Sequence, residues 1–148
     1  MIDLKIKKLH EDAVIPKAAT EGSAGLDLTC IEDGVALIDA CGPVITFKTG
    51  LAINIPEGYA GLLIPRSSIA VKTSYVLSNS VGVLDSDYRG EITAKFRDFN
   101  EFYGGKIYKK GDRICQLVIV PVPKVNVIEV EELDDTERGE GSYGSTGD

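Results

Sequence analysis

The chain has 148 residues, 43% of them hydrophobic and 26% charged, with a formal charge of −7. That length bounds it to one domain, 1–148, with its own hydrophobic core, and no apolar run approaches the roughly 20 residues that would span a bilayer. The negative balance excludes general affinity for nucleic acid, which needs clustered lysine and arginine, but leaves room for a small anionic ligand that meets local charge.

In chain order, Ile2-Asp3-Leu4-Lys5-Ile6 alternates apolar and polar residues and reads as a strand, not as a signal peptide. An internal, reducing compartment such as the cytoplasm is therefore expected. Val44-Ile45-Thr46-Phe47 alternates, Leu51-Ala52-Ile53-Asn54-Ile55 does so loosely, and Gly61-Leu62-Leu63-Ile64 is apolar throughout. Ser67-Ser68-Ile69-Ala70-Val71-Lys72 is the only segment that looks helical, with Ser67 or Ser68 near the N-cap. Glu91–Phe96 and Arg113–Val120 follow, and Val125–Val130 closes the series of strands. Proline or glycine stands at nearly every junction. Many short strands with frequent turns predict an all-β sandwich, barrel or jelly roll with one short helix. Composition changes only after Val130, which divides the chain into a β core, 1–130, and an arm, 131–148. The arm is acidic and then rich in glycine, so alone it is expected to be mobile.

Cys30, Cys41 and Cys115 are scattered and odd in number, which suggests buried, reduced thiols rather than disulfides or a zinc knuckle. The single histidine, His10, rules out a multi-histidine metal site.

Four segments carry residues suited to chemistry, and each also has a plainer reading. The arm holds Arg138, Tyr143, Ser145 and Thr146 among glycines. It reads as a disordered end, or as a lid whose arginine and hydroxyls meet phosphate while the ring stacks on a base. Gly82-Val83-Leu84-Asp85-Ser86-Asp87-Tyr88-Arg89-Gly90 reads as a turn, or as a site where Asp85 is the general base for a water nucleophile. Pro65-Arg66-Ser67-Ser68 is either a helix start with a surface arginine or an anion cradle. Lys110-Gly111-Asp112-Arg113-Ile114-Cys115-Gln116 reads as a turn with an internal Asp112–Arg113 pair leading into a core strand.

Taken together with Ala24-Gly25-Leu26-Asp27-Leu28, these segments resemble the five ordered motifs of the trimeric dUTPase family. The matches run from residue 24 to residue 147. The resemblance implies a jelly-roll-like fold and hydrolysis of dUTP to dUMP and pyrophosphate by water attack on the α-phosphate. It also implies Mg2+ as cofactor and a homotrimer with shared active sites. By the same resemblance, Asp85 activates the water and Tyr88 lies beneath the deoxyribose, leaving no room for a 2′-hydroxyl. Asn79 and the backbone of Gly82, Val83 and Leu84 bind the uracil. Arg66, Ser67, Ser68 and Gln116 contact phosphate, Asp27 holds magnesium through water, and Arg138, Tyr143, Ser145 and Thr146 act from the arm. Two positions depart from the family pattern. Ser68 stands where glycine is common, and Tyr143 where phenylalanine is usual. Phe99–Lys106 fits no motif.

Two rival readings fit less well. In dCTP deaminase, which has the same fold and a similar Arg-Ser-Ser segment, a glutamate for proton transfer lies in the strand after the third motif. Here the tenth residue after Asp85 is Lys95, whose ammonium cannot replace a carboxylate base. A non-catalytic regulatory binding module would have lost catalytic residues, whereas all the candidates are present.

Overall fold

The computed structural model describes residues 2–39, 42–99, 108–137 and 139–141. Among these, ten strands and one helix follow in order: β1 (Lys5–Lys8), β2 (Leu26–Thr29), β3 (Val35–Asp39), β4 (Gly42–Lys48), β5 (Leu51–Asn54), β6 (Tyr59–Pro65), α1 (Ser67–Lys72), β7 (Tyr75–Leu77), β8 (Gly82–Leu84), β9 (Thr93–Asp98) and β10 (Arg113–Pro121). Strands in the order β2-β10-β6-β8 form one four-stranded sheet, β3-β4-β9-β7 a second, and β1-β5 a short ribbon. Every pairing is antiparallel. This is the expected all-β, jelly-roll-like architecture with its short helix.

The period-two pattern shows how the sheets acquire an inside. In β9, Ala94 and Phe96 are fully buried, while Lys95 between them is exposed. Leu63 and Leu117 pair across β6 and β10 and face the same core. Phe47 and Phe96 meet edge to face with ring centroids 6.0 Å apart, and Tyr108 packs on Phe47 at 6.5 Å. Each buried phenylalanine contributes about 1.5–3 kcal/mol through area removed from water. Cys30 and Cys115 are free and buried, and burial raises the pKa of both thiols.

α1 forms over the predicted residues, but its N-cap is Arg66 in extended conformation, with no side-chain cap bond. Ser67 and Ser68 stand near the cap as expected, in the first turn, but neither caps it: Pro65 ends β6, and Arg66 makes the turn. A helix this short is marginal in isolation. Ile69, its only buried residue, anchors it to the core, and Thr73 closes it by donating from Oγ1 to the Ile69 carbonyl at 2.8 Å.

β2, β3, β7 and β8 are not predicted from the pattern, and the predicted strand Val125–Val130 is not formed. That segment lies past the last strand with no sheet partner among the described residues, and Val125 is 80% exposed and Val127 90%. Of the arm, Arg138 and residues 142–148 lie outside the described residues, as does nearly all of 99–106. No helix among the described residues is long and apolar enough to cross a membrane.

Candidate active site

β7 and β8 are the edge strands of different sheets, and the connection 78–81 crosses between them. A cavity of about 380 Å³ opens there, lined by Asn79, Gly82, Val83, Leu84, Asp85 and Tyr88, with Ser78, Glu91, Thr93 and Lys95 around them. Ser80 holds φ at 60°, the left-handed region that strains a non-glycine residue. Around it the Val81 N–H donates to the Asn79 carbonyl at 2.6 Å, and the Ser80 N–H to the Leu77 carbonyl at 2.8 Å. The Ser78 N–H also donates to the Lys95 carbonyl on β9 at 2.8 Å. The segment that presents Asn79 is therefore tied to the β7–β9 edge of one sheet before it enters β8 of the other.

Past Leu84 the chain turns, closed by the Tyr88 N–H donating to the Asp85 carbonyl at 3.2 Å. Tyr88 is 44% exposed, and its hydroxyl donates to the Glu91 carbonyl at 3.1 Å. A Cβ on Gly90 would stand 2.4 Å from that hydroxyl, so this ring position requires glycine there. Glu91 in turn accepts from the Gly50 N–H at 2.8 Å. The fully buried Thr49 donates its hydroxyl to the Ile92 carbonyl at 2.7 Å.

The second group of predicted residues gathers at the far end of the same sheet. Asp27 on β2 pairs in register with Gln116 on β10, which pairs with Ile64 on β6. Arg66 Nε donates to Asp27 Oδ1 and Arg113 Nη1 to Asp27 Oδ2, both at 2.9 Å. One carboxylate, with its side chain only 13% exposed, thus holds two guanidinium groups side by side, leaving a net positive fork beside Ser67, Ser68 and Gln116. A Cβ on Gly25 would lie 2.5 Å from Gln116 Oε1, so glycine lets that amide lie across β2. Arg113 is not among the candidates read from the sequence. Its neighbour Asp112 suggests a local pair, but the β10–β2 pairing carries its guanidinium to Asp27, while Asp112 Oδ2 accepts from the Lys109 N–H at 3.0 Å. Glu91 and Lys95 are likewise brought into the cavity only by the fold.

The structure therefore brings Asn79, Gly82, Val83, Leu84, Asp85 and Tyr88 together, and separately Asp27, Arg66, Ser67, Ser68 and Gln116. Gly61 pairs with Leu84, so Asp85 leaves the sheet opposite Ala60, six residues from Arg66. At strand rise that is about 20 Å. Arg138, Tyr143, Ser145 and Thr146 lie outside the described residues.

No group of three His, Cys, Asp or Glu among the described residues offers a ready metal cage. Both oxygens of Asp27 already accept from arginine. This donor set fits magnesium that keeps its waters and arrives with phosphate, and does not fit a resident ion.

Comparison with known proteins agrees in sequence and in fold. The dUTPase family model matches residues 11–147. The deoxyuridine 5′-triphosphate nucleotidohydrolase of Hydrogenobaculum sp. is 46% identical over 144 residues, 97% of each chain. That of Paramecium bursaria Chlorella virus 1 is 44% identical over 147 residues, 99% of each chain. Among solved structures, the Staphylococcus bacteriophage 80alpha dUTPase with dUpNHpp has a TM-score of 0.76 at 30% identity, covering 99% of each chain. A point mutant of the dUTPase from phage phi11 of S. aureus, described as coordinating a structural Mg(II) ion, has a TM-score of 0.73 at 27% identity over 88% of this chain and 98% of that one. With a family model spanning most of its length and relatives this similar along nearly the whole of it, the chain belongs to the dUTPase family.

Proposed function

We propose that Asp85 is the general base with which this dUTPase splits dUTP into dUMP and pyrophosphate. A water held by its carboxylate attacks the α-phosphorus. The bond from that phosphorus to the α,β-bridging oxygen breaks, pyrophosphate leaves, and Asp85 takes the water's proton. The observation that carries this reading is the shared cavity: Asp85 lines the same space as Tyr88, Asn79 and the β8 backbone. β8 is an edge strand, so one rank of its amides has no sheet neighbour and suits the hydrogen-bonding edge of uracil. The Tyr88 ring supplies an apolar floor for deoxyribose, with no room for a 2′-hydroxyl. Arg66, Ser67, Ser68 and Gln116 bind phosphate, joined by Arg113. Magnesium, when bound with the substrate, neutralises phosphate charge, and Asp27 is the carboxylate that touches its waters. Arg138, Tyr143, Ser145 and Thr146 close the arm over the nucleotide. Buried free thiols at Cys30 and Cys115 suit a reducing internal compartment.

The substrate asks for base and phosphate ligands together, whereas one chain holds them about 20 Å apart along β6. This favours a homotrimer in which each site takes Asp85 and Tyr88 from one copy and the arginine fork from another. Two further features favour assembly. Val118, Leu62 and Val83 form a cross-strand row on the outer face of their sheet, and Val83 is 60% exposed. Val125, Val127, Ile128 and Leu133 stand in solvent beyond β10. Apolar surface of this kind is covered in stable oligomers.

The base assignment is tested with Asp85→Asn, which keeps shape but cannot accept the proton. Turnover should fall about 10²- to 10⁴-fold while calorimetry with a non-hydrolysable dUTP analogue shows near-normal binding. Substantial remaining turnover removes Asp85 from the role.

A further inference from the structure

Apart from the bond of the Tyr88 hydroxyl to the Glu91 carbonyl, the turn that carries Asp85 and Tyr88 has little support of its own. β8 has three residues and lies at a sheet edge, and the backbone bond across the turn is 3.2 Å long. Arg89 supplies more. Its Nη1 donates to the carbonyls of Ser86 at 2.7 Å and Tyr88 at 2.8 Å. Its Nη2 donates to Oδ1 of Asn54, the last residue of β5, at 2.9 Å. Arg89 borders the space beside β1 and β5 with Lys5, Ile6 and Asn54; it also lines a groove with Asp85, Ser86 and Asn54, but not the cavity that Asp85 shares with Tyr88 and Asn79. It approaches the turn from behind.

We propose that Arg89 is a positioning residue for the hydrolysis: its guanidinium ties the turn bearing Asp85 and Tyr88 to the end of β5, fixing carboxylate and ring relative to each other. This rests on the reading of Asp85 as base and Tyr88 as sugar floor. A planar guanidinium spans three acceptors in fixed directions, which a lysine ammonium cannot do. Ser86, Tyr88, Arg89 and Asn54 are all exposed or nearly so, so water can serve the same acceptors, and the contribution is to orientation more than to stability. Because one turn carries both groups, loosening it lowers turnover and sugar discrimination together. A phosphate ligand would instead raise KM, and a merely structural residue would lower Tm alone.

The test uses the full chain in three variants: Arg89→Met, Arg89→Lys and Asn54→Ala. The measurements are kcat and KM for dUTP, the dUTP/UTP ratio of kcat/KM, and Tm. Misplacement near 1 Å costs about 100-fold in rate, so Arg89→Met should lower kcat at least about tenfold and narrow the dUTP/UTP ratio severalfold. KM should stay within about threefold under the same loss, because the walls of the cavity shared by Asn79, Asp85 and Tyr88 keep their own side chains. Arg89→Lys should not rescue. Asn54→Ala should show the same signature more weakly, and combining it with Arg89→Met should add little, since the two act through one bond. Unchanged kcat and ratio in Arg89→Met overturn the proposal. So does a selective loss of binding to the dUTP analogue with dUMP binding intact, which would make Arg89 a phosphate ligand. If Arg89→Met fails to fold, Asn54→Ala decides, and normal kcat and ratio there overturn the proposal equally. Failure of the underlying reading is separate: it would appear as turnover in Asp85→Asn, whatever Arg89 does.

Discussion

The two ends of β6 have different characters. Beside Tyr59–Gly61 lies a small cavity walled by an edge strand, a strained connection at Ser80 and a tyrosine held by its own hydroxyl. Beyond Pro65 lies a fork of two arginines on one largely buried aspartate. The first end is shaped by backbone and suits a neutral base and sugar. The second is shaped by long charged side chains and suits phosphate. The proposed function thus places specificity and affinity at opposite ends of one strand. Directed backbone groups and rigid rings reject a wrong shape, while charge attracts any polyphosphate.

The two ends can be separated genetically, with the largest expected effect. Asp85→Asn chains and Arg66→Ala/Arg113→Ala chains should each be nearly inactive alone. Denatured together in equal amounts and refolded, the proposed trimers, mixed at random, complete roughly a quarter of their sites if the two ends always come from different copies. Pyrophosphate release near zero after verified mixing would place both ends in one chain's site.

A sharper contrast follows from single changes. Arg66→Ala should raise KM for dUTP about 10- to 100-fold, the loss of roughly 1.5–3 kcal/mol of charged hydrogen bonding, and affect dUTP and UTP alike. Steady-state kinetics with both nucleotides checks this; an altered dUTP/UTP ratio would show that the fork also reads the sugar. Tyr88→Ala should do the reverse, narrowing the dUTP/UTP ratio of kcat/KM about tenfold, with a smaller change in the response to added salt. An unchanged ratio would mean that the sugar is checked elsewhere.

The smallest effect serves as a baseline away from both ends. Asp12 lies below its usual pKa because Lys110 Nζ donates to it at 2.6 Å. A depressed folded pKa means that this stabilisation is present above the unfolded carboxylate range and lost as pH falls through the folded value. Asp12→Asn should therefore lower Tm slightly at neutral pH, and the difference should vanish in acid. A difference that persists in acid would show that the ion pair is not its source.

Much of the fold is legible in the sequence where a strand has one wet face. Ala94 and Phe96 alternate with Thr93, Lys95 and Arg97, and that pattern alone assigns β9. The short edge strands are different. β7 and β8 have three residues each, and β3 is exposed along its whole length. These segments are strands because a neighbour pairs with them, which no local pattern records. Val125–Val130 shows the converse, a clear strand pattern with no sheet partner among the described residues of its own chain. At the site, Asp85 and Tyr88 are legible together because they share a turn. Their distance from Arg66 depends on β6 lying between β8 and β10, and the partner of Arg113 depends on β10 pairing with β2. Strand order decides both, and strand order is not a local property.

The exposed run after β10 has a consequence for polymerisation. A β-prone segment that leaves one body and docks on another makes a head-to-tail contact, and such a contact carries no count of its own: it closes into a ring when the rotation returns to the start and grows as a filament when it does not. Pro121 and Pro123 fix the direction in which the segment departs, and Lys124, Glu129, Glu131 and Glu132 interrupt its apolar residues with charge. In the proposed assembly, closure over runaway growth then depends on a handful of residues at the root of the segment, Pro123 and Lys124 among them, which border a groove that Asp85 also lines.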